Sequence, residues 1–369
     1  MIDLDVQATT PLDPAVLEAM LPWLRDHHAN PHSPHRAGRG AKAAVEVARA
    51  QVAAVMGVAA EWVVFTGGAT EANNLALKGV MLAAPPPRRR LVTFATEHSC
   101  VLVSARWLER VGFALTVLPV LADGQPDLMA YAGALGDDVA LVSAMLVNNE
   151  IGSVWPIAAM AEMAHGAGAL MHSDAAQGFG KVDASALDVD LLSVSGHKIY
   201  GPKGVGALLV RPGVVLEPVL HGGGQERFRS GTLSPALCVG LGAAARLAGE
   251  RMTADAAHVA ACWEAAMRSL HGTMHAVNGG VTARWLGNLS VRFPGVDASR
   301  VMAAVPQVMM GSGAACSSAA GRPSHVLAAI GLERAAVRET VRLGWGRFTG
   351  VDEVERAMAM IVDAVRGMA

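Results

Sequence analysis

The chain has 369 residues, 52% hydrophobic and 17% charged, which excludes a disordered polymer and suits roughly two domains around a large core. A net charge of −2 with a pI near 6.7 argues against nucleic acid as a principal partner. Mean hydropathy is +0.34, yet no apolar run approaches the ~20 residues of a membrane span.

No basic stretch followed by an apolar one opens the chain, so no signal peptide is expected. The four cysteines, Cys100, Cys238, Cys262 and Cys316, lie far apart without metal-ligand spacing. Reduced thiols, no metal and a cytoplasmic location follow as expectations. PPPRRR at 85–90 reads as a solvated turn.

Residues 1–14 read as extended, with a helix from Ala15 to about Asp26. A polar loop, HHANPHSPHRAGRG, precedes a second helix from Ala41 to Met56. From Trp62 the pattern becomes rhythmic. WVVFT, LVTFAT, ALTVLPV, ALVSAML, GALMHSD and LLSVSG read as strands, several separated by helix-length segments. That rhythm predicts an α/β fold with a mostly parallel sheet covered on both faces. Sites then belong beyond the strands' C-terminal ends. After about Leu247 the character changes. A helical stretch from Ala254 to Leu270, the strands GNLSVRF and VRLGWGRF, and the helices PSHVLAAI and VDEVERAMAMIVDAV suggest a smaller α+β domain. The expected division is 15–250 for the large domain, with 1–14 and 251–369 forming the small one.

The richest stretch is SVSGHKIYGPKGVGALLV, 193–210. A glycine-rich turn between two buried strands places Lys198 near a strand end, where desolvation favours a nucleophilic amine. In TGGATEANNLAL a helix starting near Thr70 offers phosphate-binding amides. His98, just past a strand, is either a core histidine or a ring stacked on a planar cofactor. Cys100 reads as a small buried filler. Asn148, Asn149 and Glu150 follow another strand, to bind a ligand or to shape a turn. Asp174 ends an apolar run; it either caps a helix or pairs with a protonated pyridine nitrogen, which Gln177 also reaches. Each feature alone has a structural explanation. Together, a strand-end lysine, a strand-end aspartate, a phosphate-ready helix start and a histidine ring suit pyridoxal phosphate (PLP). Ser195 and His197, flanking Gly196, add candidate phosphate contacts.

At these residues the chain resembles the cysteine desulfurases, in the class V branch of the fold-type I PLP aminotransferases. The matching strings run nearly end to end: ATTP, NPHSPH, ATEANN, TEH, VNNEIG, SDAAQ, SGHKIYGPKGVGAL, HGGGQER with RSGT, GSGAAC and GRFT. The resemblance implies a mixed, mostly parallel seven-stranded sheet. It implies Lys198 as the PLP lysine, and Ala69, Thr70, Ser195 and His197 at the phosphate. Asp174 pairs with the ring nitrogen, Asn149 and Gln177 lie on the ring hydroxyl side, and His98 stacks and moves protons. Arg342, Asn149 and Asn30 meet the substrate. The family is dimeric, and Thr232 reaches the other subunit's cofactor.

GSGAACSSAAGRPS, 311–324, is built of small residues without a period and reads as a loop with Cys316 near its centre. With a PLP site present, Cys316 becomes the persulfide carrier. Arg342 suits an amino-acid carboxylate bidentately, while Arg347 reads as a structural ion pair. Gly67, Phe228 and Gly344-Trp345 depart from the family pattern, and the family's housekeeping members extend further at the C-terminus. The expected reaction converts L-cysteine to L-alanine and loads sulfur onto Cys316. An acceptor protein then takes it for iron–sulfur assembly or for tRNA or DNA thiolation. The alternatives are another class V enzyme (an aminotransferase or a selenocysteine lyase) and a silent sulfur-relay scaffold.

Overall fold

The structure, a computed structural model, describes residues 1–312 and 323–368. Its centre is a seven-stranded sheet in the order Val63–Thr66, Gly206–Val210, Leu191–Ser195, Leu170–Asp174, Val139–Met145, Arg90–Phe94, Ala114–Leu118. Gly206–Val210 runs antiparallel to both neighbours, and the other pairings are parallel. The inner strands are apolar along their whole length because both faces are covered. All seven residues of Val139–Met145 and all five of Leu191–Ser195 are buried. The expected mixed, mostly parallel sheet is therefore present. Its topology gathers the segments after Thr66, Phe94, Met145, Asp174 and Ser195 along one edge.

A second, antiparallel sheet has the order Gly311–Ser312, Thr340–Gly344, Asn288–Arg292, Ala276–Val277. Arg342 stands in one of its central strands, in register with Ser290 on one side and Gly311 on the other. The N-terminal residues tie the two sheets together. Ile2–Asp3 pairs in parallel with Val308–Met309, and Gly344 N donates to Leu4 O at 2.7 Å. Further along, Thr10 N donates to His197 O, Tyr200 N donates to Thr10 Oγ1, and Asp13 N donates to Tyr200 O. This strap passes close to Gly344, where a Cβ would stand 2.7 Å from Gln7 Cγ. The Gly344-Trp345 departure is thus a packing arrangement. Glycine admits the strap, while Trp345 is buried and its Nε1 donates to Leu286 O at 2.9 Å.

Two helices start earlier than the pattern predicts. The second spans Arg36–Ala54, because His35 Nδ1 accepts from Gly38 N and caps it inside the expected polar loop. The long helix spans Pro235–Ser269, capped by Ser234 with proline in its first turn. Gly240 and Gly242 hide its first half from propensity reasoning. Both sit where helices touch: a Cβ on Gly242 would lie 2.6 Å from Ala48 Cα, and one on Gly240 2.7 Å from Met20 Sδ. Among the described residues, no helix is long and apolar enough to cross a membrane.

Arg347 locks the strap from below. Its guanidinium meets Asp13 at 2.8 Å and Asp255 at 2.7 Å, with its side chain 4% exposed. Removing a buried charge leaves two carboxylates uncompensated. We expect Arg347→Met to destabilise the fold by about 3–5 kcal/mol, read from the denaturant midpoint. A loss below about 1 kcal/mol would show that water enters and solvates the two carboxylates.

Candidate active site

One cleft of ≈ 1010 Å³ opens along the strand ends, between the large sheet, the strap and Arg342. Ala69, Thr70, His98, Asn149, Asp174, Gln177, Ser195, His197, Lys198 and Arg342 all line it. Ten sequence-predicted residues from six segments therefore converge. Two others do not line it: Asn30 is exposed and turns its Oδ1 to His32 N, and Thr232 is exposed beyond Gly231. Cys316 lies outside the described residues.

Lys198 closes a short 3-10 turn, Gly196–Lys198, directly after Leu191–Ser195. Its Nζ donates to Gln7 O and Ala8 O, both at 2.8 Å. Two strap carbonyls thus point the amine along the cleft wall. Asp174 ends the neighbouring strand, which pairs with the lysine strand in parallel. Its Oδ2 accepts from Asn73 Nδ2 at 2.7 Å and its Oδ1 from Ala176 N at 2.9 Å, so the carboxylate is oriented as well as buried. The helix Ala69–Ala83 begins after Gly68, which has φ +145 and provides no side-chain cap. The first amides of this 15-residue helix keep their donors for a ligand. Close packing holds that turn: a Cβ on Gly206 would lie 2.7 Å from Gly68 Cα. Gly67 N donates to Glu71 Oε2 at 2.8 Å, and a Cβ on Gly67 would come within 2.9 Å of that oxygen. The departure at Gly67 therefore makes room for the Glu71 carboxylate. Phe228 also lines the cleft and adopts φ +66, a conformation that favours a smaller residue.

Burial governs protonation here. It lowers the His98 pKa, with Asp174 acting in the opposite direction and Lys198 and His325 adding to the decrease. Cys100 N donates to His98 Nδ1 at 3.2 Å, and Cys100 Sγ lies 3.0 Å from the same nitrogen. The neutral ring therefore carries its proton on Nε2. Burial pushes the Cys100 thiol up to about 12, so it stays protonated beside His98. His197 falls to about 4, through burial first and then the charges of Lys198, Lys203 and Lys181. Glu97 is fully buried, and burial followed by the Asp174 charge raises its pKa well above the usual carboxyl range. It is a neutral acid whose Oε1 accepts from Met145 N at 2.6 Å.

Sequence reasoning missed four contributors. Gln7 and Ala8 act through backbone carbonyls, which no side-chain motif marks. Asn73 appears as one of an Asn pair inside a helix; only its spacing of four residues from Ala69 sets it on the cleft side. Asp5 pairs with Arg342 Nη2 at 2.9 Å. Arg342 Nη1 donates to Asn149 O at 3.3 Å, while its buried Nε has no partner among the described residues.

These features fit PLP. The cleft has a lysine amine, a fixed carboxylate on the adjacent strand, an uncapped helix start with Ser195 and neutral His197 beside it, and the Arg342 guanidinium. The family model for class V aminotransferases matches residues 2–357. A curated relative, cysteine desulfurase IscS of Rickettsia rickettsii (strain Iowa), is 43% identical over 378 residues, covering 100% of this chain and 92% of the relative. A solved NifS-like protein superposes with a TM-score of 0.93 at 31% identity, covering 99% of both chains. SspA in complex with cysteine gives 0.84 at 35%, covering 95% of this chain and 100% of that one. The similarity thus runs over essentially the whole chain, and the chain belongs to the class V aminotransferase family of PLP enzymes, within it to the cysteine desulfurases.

Proposed function

We propose that this cleft converts L-cysteine to L-alanine and delivers the sulfur to Cys316, with PLP held on Lys198. One observation carries the assignment of residues: Lys198 and Asp174 stand at the ends of paired parallel strands in one cleft. When bound, PLP supplies an aldehyde for an amine and a pyridine ring that accepts an electron pair. Asp174, oriented by Asn73 and Ala176 N, accepts a hydrogen bond from the ring nitrogen and keeps it cationic. Ala69 and Thr70 at the helix start, with Ser195 and His197, bind the phosphate. Gln177 and Asn149 lie at the ring oxygen. Arg342, on the cleft wall, supplies the guanidinium for the substrate carboxylate.

Lys198, released as an amine, removes the substrate Cα proton; the Gln7 and Ala8 carbonyls set its approach. His98 manages the proton between the substrate thiol and the attacking sulfur. The Cys316 thiolate attacks the substrate sulfur, forming an S–S bond as the Cβ–S bond breaks. Cysteine and a thiol become alanine and a persulfide, so no outside oxidant is required. An acceptor protein then takes the sulfur. Thr232 is exposed and away from its own chain's cleft, which supports a homodimer in which it reaches the partner's cofactor.

Lys198→Ala is expected to lose the cofactor's visible band and to lower alanine formation by at least ~10²–10⁴-fold. A protein that keeps a borohydride-trappable cofactor elsewhere would displace Lys198 from this role. Incubation with L-cysteine yields alanine and reducible sulfur in equal amounts, and Cys316→Ala removes both. Full sulfide release by that variant in reductant would end the assignment of Cys316. The pKa of His98 is lowered from the ordinary 6.5, so the ring is neutral at pH 7 and becomes charged only on acidification. The acid limb of kcat/KM should therefore fall below pH 6.5 and vanish in His98→Gln; a limb unmoved in that variant belongs to another group.

A further inference from the structure

Lys181 lies four residues after Gln177, and the chemistry above makes no use of it. Its Nζ donates to Gln177 Oε1 at 3.1 Å, and Gln177 Nε2 donates to Gln7 O at 2.9 Å. Lys198 Nζ donates to that same carbonyl at 2.8 Å. Two amines are thereby joined through one amide and one backbone oxygen.

The chain of bonds has only one sense. A backbone carbonyl only accepts, so Nε2 must face Gln7 O; the opposite side of the amide, Oε1, faces the Lys181 amine. One hydrogen on Nε2 is then left over, and Gln177 lines the cleft. Gln7 O and Lys181 thus together hold the amide in the orientation presented there. The other charged or titratable groups around it are Lys198 and His197 on the lysine turn and, across a small void, Tyr200, Asp255 and Arg347. Asp255 and Arg347 pair with each other at 2.7 Å.

Stability gives little reason for an amine at this position. Lys181 keeps part of its surface exposed, yet burial of its amine, followed by the Lys198 charge, pushes its pKa down to about 7. A methionine of similar length would fill the space without that desolvation.

We propose that Lys181 is a positioning residue that holds the Gln177 amide with an N–H turned into the cleft, setting the donor that meets the ring oxygen of PLP. This rests on the placement of Gln177 beside that oxygen, proposed above. A donor there favours the ionised ring oxygen, so its loss redistributes the cofactor's visible bands.

The test uses holoenzyme at one fixed pH and reads the visible spectrum and the melting temperature. In Lys181→Met the ratio of the two visible bands should change about 2- to 10-fold, the size of one hydrogen bond, while the melting temperature holds or rises. Lys181→Gln, which keeps an N–H donor, should stay closer to the parent spectrum. An unchanged spectrum in Lys181→Met overturns the proposal. So does a lowered melting temperature without a spectral change, or failure of both Lys181→Met and Lys181→Leu to fold, since each assigns the amine a structural role. Gln177→Leu separates the layers. If its bands move and those of Lys181→Met do not, only the role of Lys181 falls. If its bands also stay, the placement of Gln177 falls, and the inference with it.

Discussion

The grip of two strap carbonyls on the Lys198 amine is the contact on which the site depends. Gln7 O and Ala8 O each accept from Nζ at 2.8 Å. The strap holds that position through backbone bonds to both sheets: Leu4 to Gly344 on one side, Thr10 to His197 and Asp13 to Tyr200 on the other. Without them a lysine at a turn would snorkel to solvent. With them it remains half-buried against the cleft wall. The parallel sheet contributes by bringing five strand ends to one edge, so that short turns rather than long loops carry the reacting groups.

Electrostatically the cleft keeps histidines and one carboxyl neutral. Burial lowers His98 and His197, and raises Glu97. Asp174 is held by two donors, from Asn73 and from Ala176 N. A neutral His197 can donate to a phosphate without adding charge, and a neutral Glu97 behind the cleft adds no second carboxylate charge near Asp174. Asp5 and Glu71 on the cleft wall are paired with Arg342 and Arg229, so Asp174 is the oriented carboxylate left for a cationic pyridine ring.

Much of this was legible in the sequence, for a physical reason. Fully covered strands are written as continuous apolar runs, and the polar residue that ends each run is the one at the sheet edge. Asp174 and Ser195 can be read that way. Helix starts were less legible where capping fell to an unusual residue, as with His35, or where glycines served close packing, as with Gly240 and Gly242. The backbone acceptors Gln7 and Ala8 left no trace in residue type. Cys100 reads as filler in the sequence, yet its backbone amide and thiol both meet His98 Nδ1, a role that appears only once the helix places them. Lys181, a lysine after GFG, resembles an ordinary surface residue until the fold encloses its amine.

The tight passage at Gly344 has a mechanical consequence. The strap is pinned to the smaller sheet there and to the lysine turn a few residues later, so it behaves as a short tie-rod. Any tilt of one sheet against the other is transmitted along it to the oxygens that hold the amine. A methyl group at position 344 would press on Gln7 of the strap, and so would be felt at the carbonyls that hold the Lys198 amine.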